Sequence, residues 1–165
     1  MSWSPVIQEL IDATPIAPLD EGAPDRIWAK RLRALSAEDV VPNAKDIDAA
    51  RCCWSGLFLR IGCLEDSHVI SQDLGTPEAS FWHGIMHRRE GDTSNAKYWF
   101  RRVGEHAVFP ALAEAAGLSR WDAAEFVDRC ATAVRNGEDE EALRELQDAE
   151  WRLLLEHCLG LARGE

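Results

Sequence analysis

The sequence predicts an all-α protein, one domain over residues 1–165, built as a bundle of about seven or eight helices. Three observations lead there. No segment alternates apolar and polar residues over a strand's length, while apolar residues recur at three- and four-residue spacing along most of the chain. Helix-start residues and helix-stop glycines bracket those stretches. The 165 residues, 46% hydrophobic and 28% charged, match a globular domain long enough to bury one core.

A first short helix covers residues 4 to 13, and the loop TPIAPLDEGAP follows. A second helix runs from Asp25 to Leu35. Ser36 opens a short turn that Pro42 breaks. Lys45 to Leu64 reads as one long buried helix: Ala50, Trp54, Leu57, Ile61 and Leu64 share a face, and Cys52, Leu59 and Cys63 occupy the other. A helix apolar on most sides belongs in the middle of a bundle. Asp66 to Leu74 (DSHVISQDL) reads as a polar connector.

Thr76 and Pro77 supply an N-cap followed by proline at the first helical position. That helix runs to Glu90, where Gly91 stops it. Asp92 or Ser94 caps the next, which ends at Val103 before Gly104. The two make a helical hairpin at about 77–103. A short helix over 109–116 closes at Gly117. Ser119 starts another that runs to Arg135 and stops at Asn136-Gly137. Residues 137–165 carry a long C-terminal amphipathic helix, from about Glu138 to Ala162. Its Leu143, Leu146, Trp151, Leu153 and Leu154 offer a face for a homodimer. A faint repeat relates Trp54-x-Gly56-Leu57-x-x-Arg60 to Trp82-x-Gly84-Ile85-x-x-Arg88.

The bulk chemistry excludes some partners. The net charge is -11 and the pI near 4.9, so phosphate backbones are repelled and no nucleic acid is expected. No apolar run reaches the roughly 18 residues of a membrane span, and the first residues lack a basic segment followed by an apolar one. The five cysteines form no CxxC pair and read as reduced, buried thiols, which points to the cytoplasm. The charge is uneven: residues 137–165 hold nine acids against three bases, residues 81–106 five bases against three acids.

That local basic excess lies in the hairpin, FWHGIMHRREGDTSNAKYWFRRVGEHAVF. On a helical wheel Phe81, Trp82, Ile85 and Met86 form one face with Arg89 in its middle. A buried guanidinium needs a partner, for which Glu65, Asp66 and Asp73 are candidates, or it grips an anionic ligand. His83, His87 and Glu90 lie together on the opposite face, at a spacing that suits one divalent metal ion, with His68 or His106 as a third imidazole. No glutamate follows His83, so this is not a zinc-protease HExxH helix. Ala96, Trp99, Phe100 and Val103 form the buried stripe of the second helix. Arg88, Lys97, Arg101 and Arg102 are placed to share a basic rim.

Two resemblances attach to these residues. Asp66-Ser67-His68-x-x-Ser71-Gln72, then Trp82-His83-x-Ile85-Met86-His87-Arg88-Arg89-Glu90, then Ser94-Asn95-Ala96-Lys97-Tyr98-Trp99-Phe100-Arg101-Arg102 resemble the signature of a family of uncharacterised bacterial and fungal proteins. The resemblance implies no activity. Trp82-x-Gly84, Gly91-Asp92 and Ala96-x-x-Trp99-Phe100 are similar to a tetratricopeptide or Sel1-like hairpin, which implies a protein-binding module. The residues themselves favour a pocket that binds a small anionic molecule, with a divalent metal as candidate cofactor. Its walls would be His68, His83, His87, Arg88, Arg89, Glu90, Lys97 and Arg102.

Overall fold

The computed structural model describes residues 3–165, and among them it contains ten helices and no strand. They are α1 Pro5–Ala13, α2 Arg26–Arg33, α3 Ala37–Val40, α4 Ile47–Arg60, α5 Leu64–Gln72, α6 Pro77–Glu90, α7 Thr93–Val103, α8 Phe109–Ala115, α9 Ala123–Asn136 and α10 Glu140–Arg163. The all-α class holds, and the count exceeds the predicted seven or eight by α3 and α5.

Each additional helix has a local cause. At α3 the Ser36 hydroxyl accepts from the Asp39 N–H while the Asp39 carboxylate accepts from the Ser36 N–H, a reciprocal cap that turns the expected turn into one helical turn. At α5 the expected long helix divides. Gly62 sits at φ 78°, and a Cβ there would lie 3.0 Å from the Ala23 carbonyl oxygen, so the backbone turns where only glycine fits. The chain then forms α5 where a connector was expected. Its buried residues are Ser67, Ile70 and Ser71. The Ser67 hydroxyl meets that of Ser55 at 2.8 Å. Paired hydroxyls bury a polar helix face that hydropathy periodicity does not flag.

The predicted caps hold at Thr76 and Asp92, whose side chains accept from Ala79 N–H and Asn95 N–H. Gly91 ends α6 at φ 87° in the left-handed region. Asp122, not Ser119, caps α9, because its carboxylate accepts from both Ala124 N–H and Glu125 N–H.

Helices α4 and α6 lie innermost. The first packs against α2, α3, α5, α6 and α10, the second against α4, α5, α7 and α9. Every residue from Ala79 to Arg89 is buried, so both wheel faces of α6 are interior. The apolar face of α10 closes the same core through Leu143, Trp151 and Leu154. The repeated segments lie on α4 and α6 and do parallel work. Arg60 pairs with Asp148 of α10 at 2.6 Å and lies over Trp151. Arg88 pairs with Glu150 of α10 at 2.5 Å and lies over Phe126. No helix among the described residues is long and apolar enough to cross a membrane.

Candidate functional site

Three imidazoles converge where α5 meets α6. His83 and His87 are one turn apart on α6 and project to the same side. His68 reaches them from α5. One ring nitrogen of each lies within 4.8 Å of the others. The ring centroids are 4.7 Å apart for His68 and His83, 5.5 Å for His68 and His87, and 4.9 Å for His83 and His87.

Nδ1 of each ring faces an oxygen. His87 Nδ1 is 2.9 Å from Glu90 Oε2. His83 Nδ1 is 3.4 Å from the Ser71 hydroxyl, which can accept from the ring while it donates its own proton to the His68 carbonyl at 3.3 Å. His68 Nδ1 lies 3.7 Å from Glu65 Oε2, a longer contact. An acceptor at Nδ1 holds the ring proton there and leaves the Nε2 lone pair for a metal. Oxygen partners behind metal-binding histidines act this way, fixing ring orientation and raising basicity.

His83 and His87 are buried, while the His68 side chain is 28% exposed and forms the open edge. Trp99 of α7 covers His83 in a stacked contact. Burial, reinforced by the neighbouring His87 and His68, pushes the His83 pKa down to about 3. At neutral pH that ring is uncharged, the form a metal ligand requires.

The cationic residues do other work. Arg88 sits in the buried pair with Glu150 and also donates to Gln147 Oε1 at 3.2 Å, so it is no part of a rim. Among the described residues Arg89 forms no ion pair within 4 Å, and it grips three backbone carbonyls: Asp20 through Nε at 3.0 Å, Glu21 through Nη2 at 3.2 Å, and Leu59 through Nη1. Leu59 lies in the last turn of α4, where its carbonyl has no i+4 helical donor, accepts the Gly62 N–H at 3.2 Å in the capping turn, and sits at the negative end of the dipole. Burial, then the neighbouring Arg88, lowers the Arg89 pKa to about 10, which keeps it charged at neutral pH. Asp66 and Asp73 pair with Arg33 and Arg51 instead. Lys97 pairs with Asp128 of α9 at 2.7 Å, and Arg102 lies over Trp99 at 5.2 Å. A cleft of about 720 Å³ borders Arg88, Arg89 and Glu90, but Asp20, Glu21 and Asp128 also line it.

Of the eight predicted wall residues, His68, His83, His87 and Glu90 come together, and Arg102 adjoins them through Trp99. Arg88, Arg89 and Lys97 tie helices to one another. Glu90 stands behind His87, and His68 occupies the third position of the trio. The sequence reading missed Ser71 and Glu65 as ring partners. Their three-residue spacing on either side of His68 becomes a signal only when α5 is known to be helical. Comparison with known protein families, curated proteins and solved structures found no match to this chain.

Proposed function

We propose that this chain binds a divalent transition-metal ion through His68, His83 and His87, with a fourth position open at the exposed edge of His68. The observation that carries the proposal is the convergence of three imidazoles from two helices, each with Nδ1 turned toward an oxygen. Three neutral nitrogen donors suit zinc and its first-row neighbours and do not suit magnesium or calcium, which take oxygen ligands. A small anion or water completes the coordination. The ion supplies the positive charge for that anion, because Arg88 and Arg89 are engaged inside the core. A peptide-binding hairpin would offer an open helix face, whereas α6 is enclosed on every side.

The test strips the full chain with a chelator and titrates it with Zn²⁺ against a competing indicator. His68→Ala, His83→Ala and His87→Ala are each expected to abolish this ion's binding. Glu90→Gln keeps the ligands and is expected to weaken binding by about 10- to 100-fold. The proposal fails if His68→Ala binds like the parent chain.

A further inference from the structure

A second group of metal-ligating side chains lies near the start of α6. Glu78 belongs to the first turn of that helix, His106 to the connector between α7 and α8, and His157 to α10. One ligand atom of each lies within 4.8 Å of the others. His157 Nε2 is 3.2 Å and His106 Nε2 3.6 Å from the same oxygen, Glu78 Oε1. The side chains are mostly enclosed, with 14% of Glu78, 3% of His106 and 25% of His157 exposed. The rings of Phe81 and Phe109 stand against His106.

One contact in the arrangement is too long for a hydrogen bond. His106 Nε2 is buried and has no hydrogen-bond partner. It points at a carboxylate oxygen from beyond hydrogen-bonding distance. Buried polar nitrogens are nearly always satisfied, and this one has only the Glu78 carboxylate, at 3.6 Å, to face. Bonds of about 2.0–2.2 Å to a tetrahedral ion set neighbouring donor atoms roughly 3.4 Å apart. The two measured separations bracket that value.

We infer that Glu78, His106 and His157 form a second site for a divalent transition-metal ion, separate from the three-histidine site. Two imidazoles and one carboxylate leave coordination positions open and suit iron(II), cobalt(II) or zinc. Glu78 precedes His83 and His87 on α6 by about 7 to 14 Å of helix rise. That is too far for the shared ligands of a two-metal centre, whose ions sit about 3.5–4 Å apart. The two sites are therefore mononuclear and load independently.

Loading has a structural consequence. His106 Nδ1 now accepts from the Val108 N–H at 3.3 Å. A metal on Nε2 moves the ring proton to Nδ1, so Val108 loses its acceptor and the connector must shift. A cluster that merely shares protons would keep that contact.

The test titrates the metal-stripped full chain with Co²⁺, following visible absorption and the Val108 amide resonance. Two equivalents are expected, with the Val108 signal moving on one of them. Glu78→Gln, nearly isosteric, and His157→Ala, at a partly exposed position, should each lose one equivalent and the Val108 shift. Circular dichroism verifies that both variants fold. His68→Ala should retain this equivalent. If the parent chain takes a single ion that survives Glu78→Gln and His157→Ala but not His68→Ala, the second site is overturned and the three-histidine site stands. The reverse pattern overturns the three-histidine site alone. No binding overturns both, and binding with an unmoved Val108 signal overturns the second site.

Discussion

The imidazole of His83 lies flat against the indole of Trp99, with ring centroids 3.8 Å apart and planes inclined by 18°. The contact closes one side of the three-histidine group and brings an intrinsic fluorophore next to a proposed ligand. A paramagnetic ion on His83 would sit within quenching range of that indole. The chain holds seven tryptophans, so the contribution of Trp99 is read by difference. Ni²⁺ is expected to lower the emission of the parent chain and to lower that of Trp99→Phe by a clearly smaller fraction. Equal fractional quenching in the two proteins would place the ion elsewhere.

Arg88 and Glu150 give a prediction about stability. Their side chains are 1% and 0% exposed and meet at 2.5 Å. Two charges in so enclosed a place are costly to desolvate, and removing one leaves the other without its partner. Arg88→Ala or Glu150→Ala is expected to destabilise the fold by about 3–5 kcal/mol in urea unfolding. The double change Arg88→Met with Glu150→Leu should recover most of that loss, because apolar side chains of similar volume remove both desolvation costs. A double variant as unstable as the worse single one would mean that Gln147 and Phe126, the other neighbours of Arg88, carry the effect.

The same pair shows where the sequence stops being readable. Caps such as Thr76 and Asp92, and the stop at Gly91, depend on residues within one turn, so their positions were legible. The partner of Arg88 lies 62 residues away on α10, and nothing local to α6 names it. Arg89 was legible as a buried cation but not as a plug for backbone carbonyls, because carbonyls carry no sequence signature. His83, His87 and Glu90 were legible as one helical face. His68 remained a loose candidate, because α5 buries serines where periodicity looks for leucines. Half of the candidate site was thus hidden behind one polar helix.

Gly56 and Gly75 test how tightly the inner helices pack. A Cβ on Gly56 would lie 2.7 Å and 2.8 Å from two ring atoms of Trp82, itself fully buried. The Gly56 carbonyl also accepts the Trp151 indole N–H at 2.7 Å, so α4 cannot back away without straining its contact with α10. Gly56→Ala is expected to cost about 1–3 kcal/mol. A Cβ on Gly75 would meet nothing within 4 Å, and its φ is not positive. Gly75→Ala is expected to be neutral or to stabilise by up to about 1 kcal/mol, by restricting the unfolded chain. Thermal unfolding of the two variants side by side decides the matter. Similar shifts would mean that Trp82 repacks freely.

The pH response of the metal-free protein follows from His83. Its pKa is about 3 in the fold against 6.5 for an ordinary imidazole, chiefly because burial disfavours the charged form. Between those values the unfolded chain takes up a proton that the folded ring refuses. Stability linked to His83 is therefore complete above pH 6.5 and is lost as the pH falls toward 3. The slope is at most about 1.4 kcal/mol per pH unit. His83→Gln removes the titration and adds only an offset that does not vary with pH. The stability difference between the parent chain and His83→Gln, from urea midpoints at pH 7.0, 5.5 and 4.5, should shift steadily against the parent as the pH falls. A difference that stays constant across that range would show that His83 protonates in the fold as it does in the open chain. The ring would then not be held in the neutral form on which the three-histidine site depends.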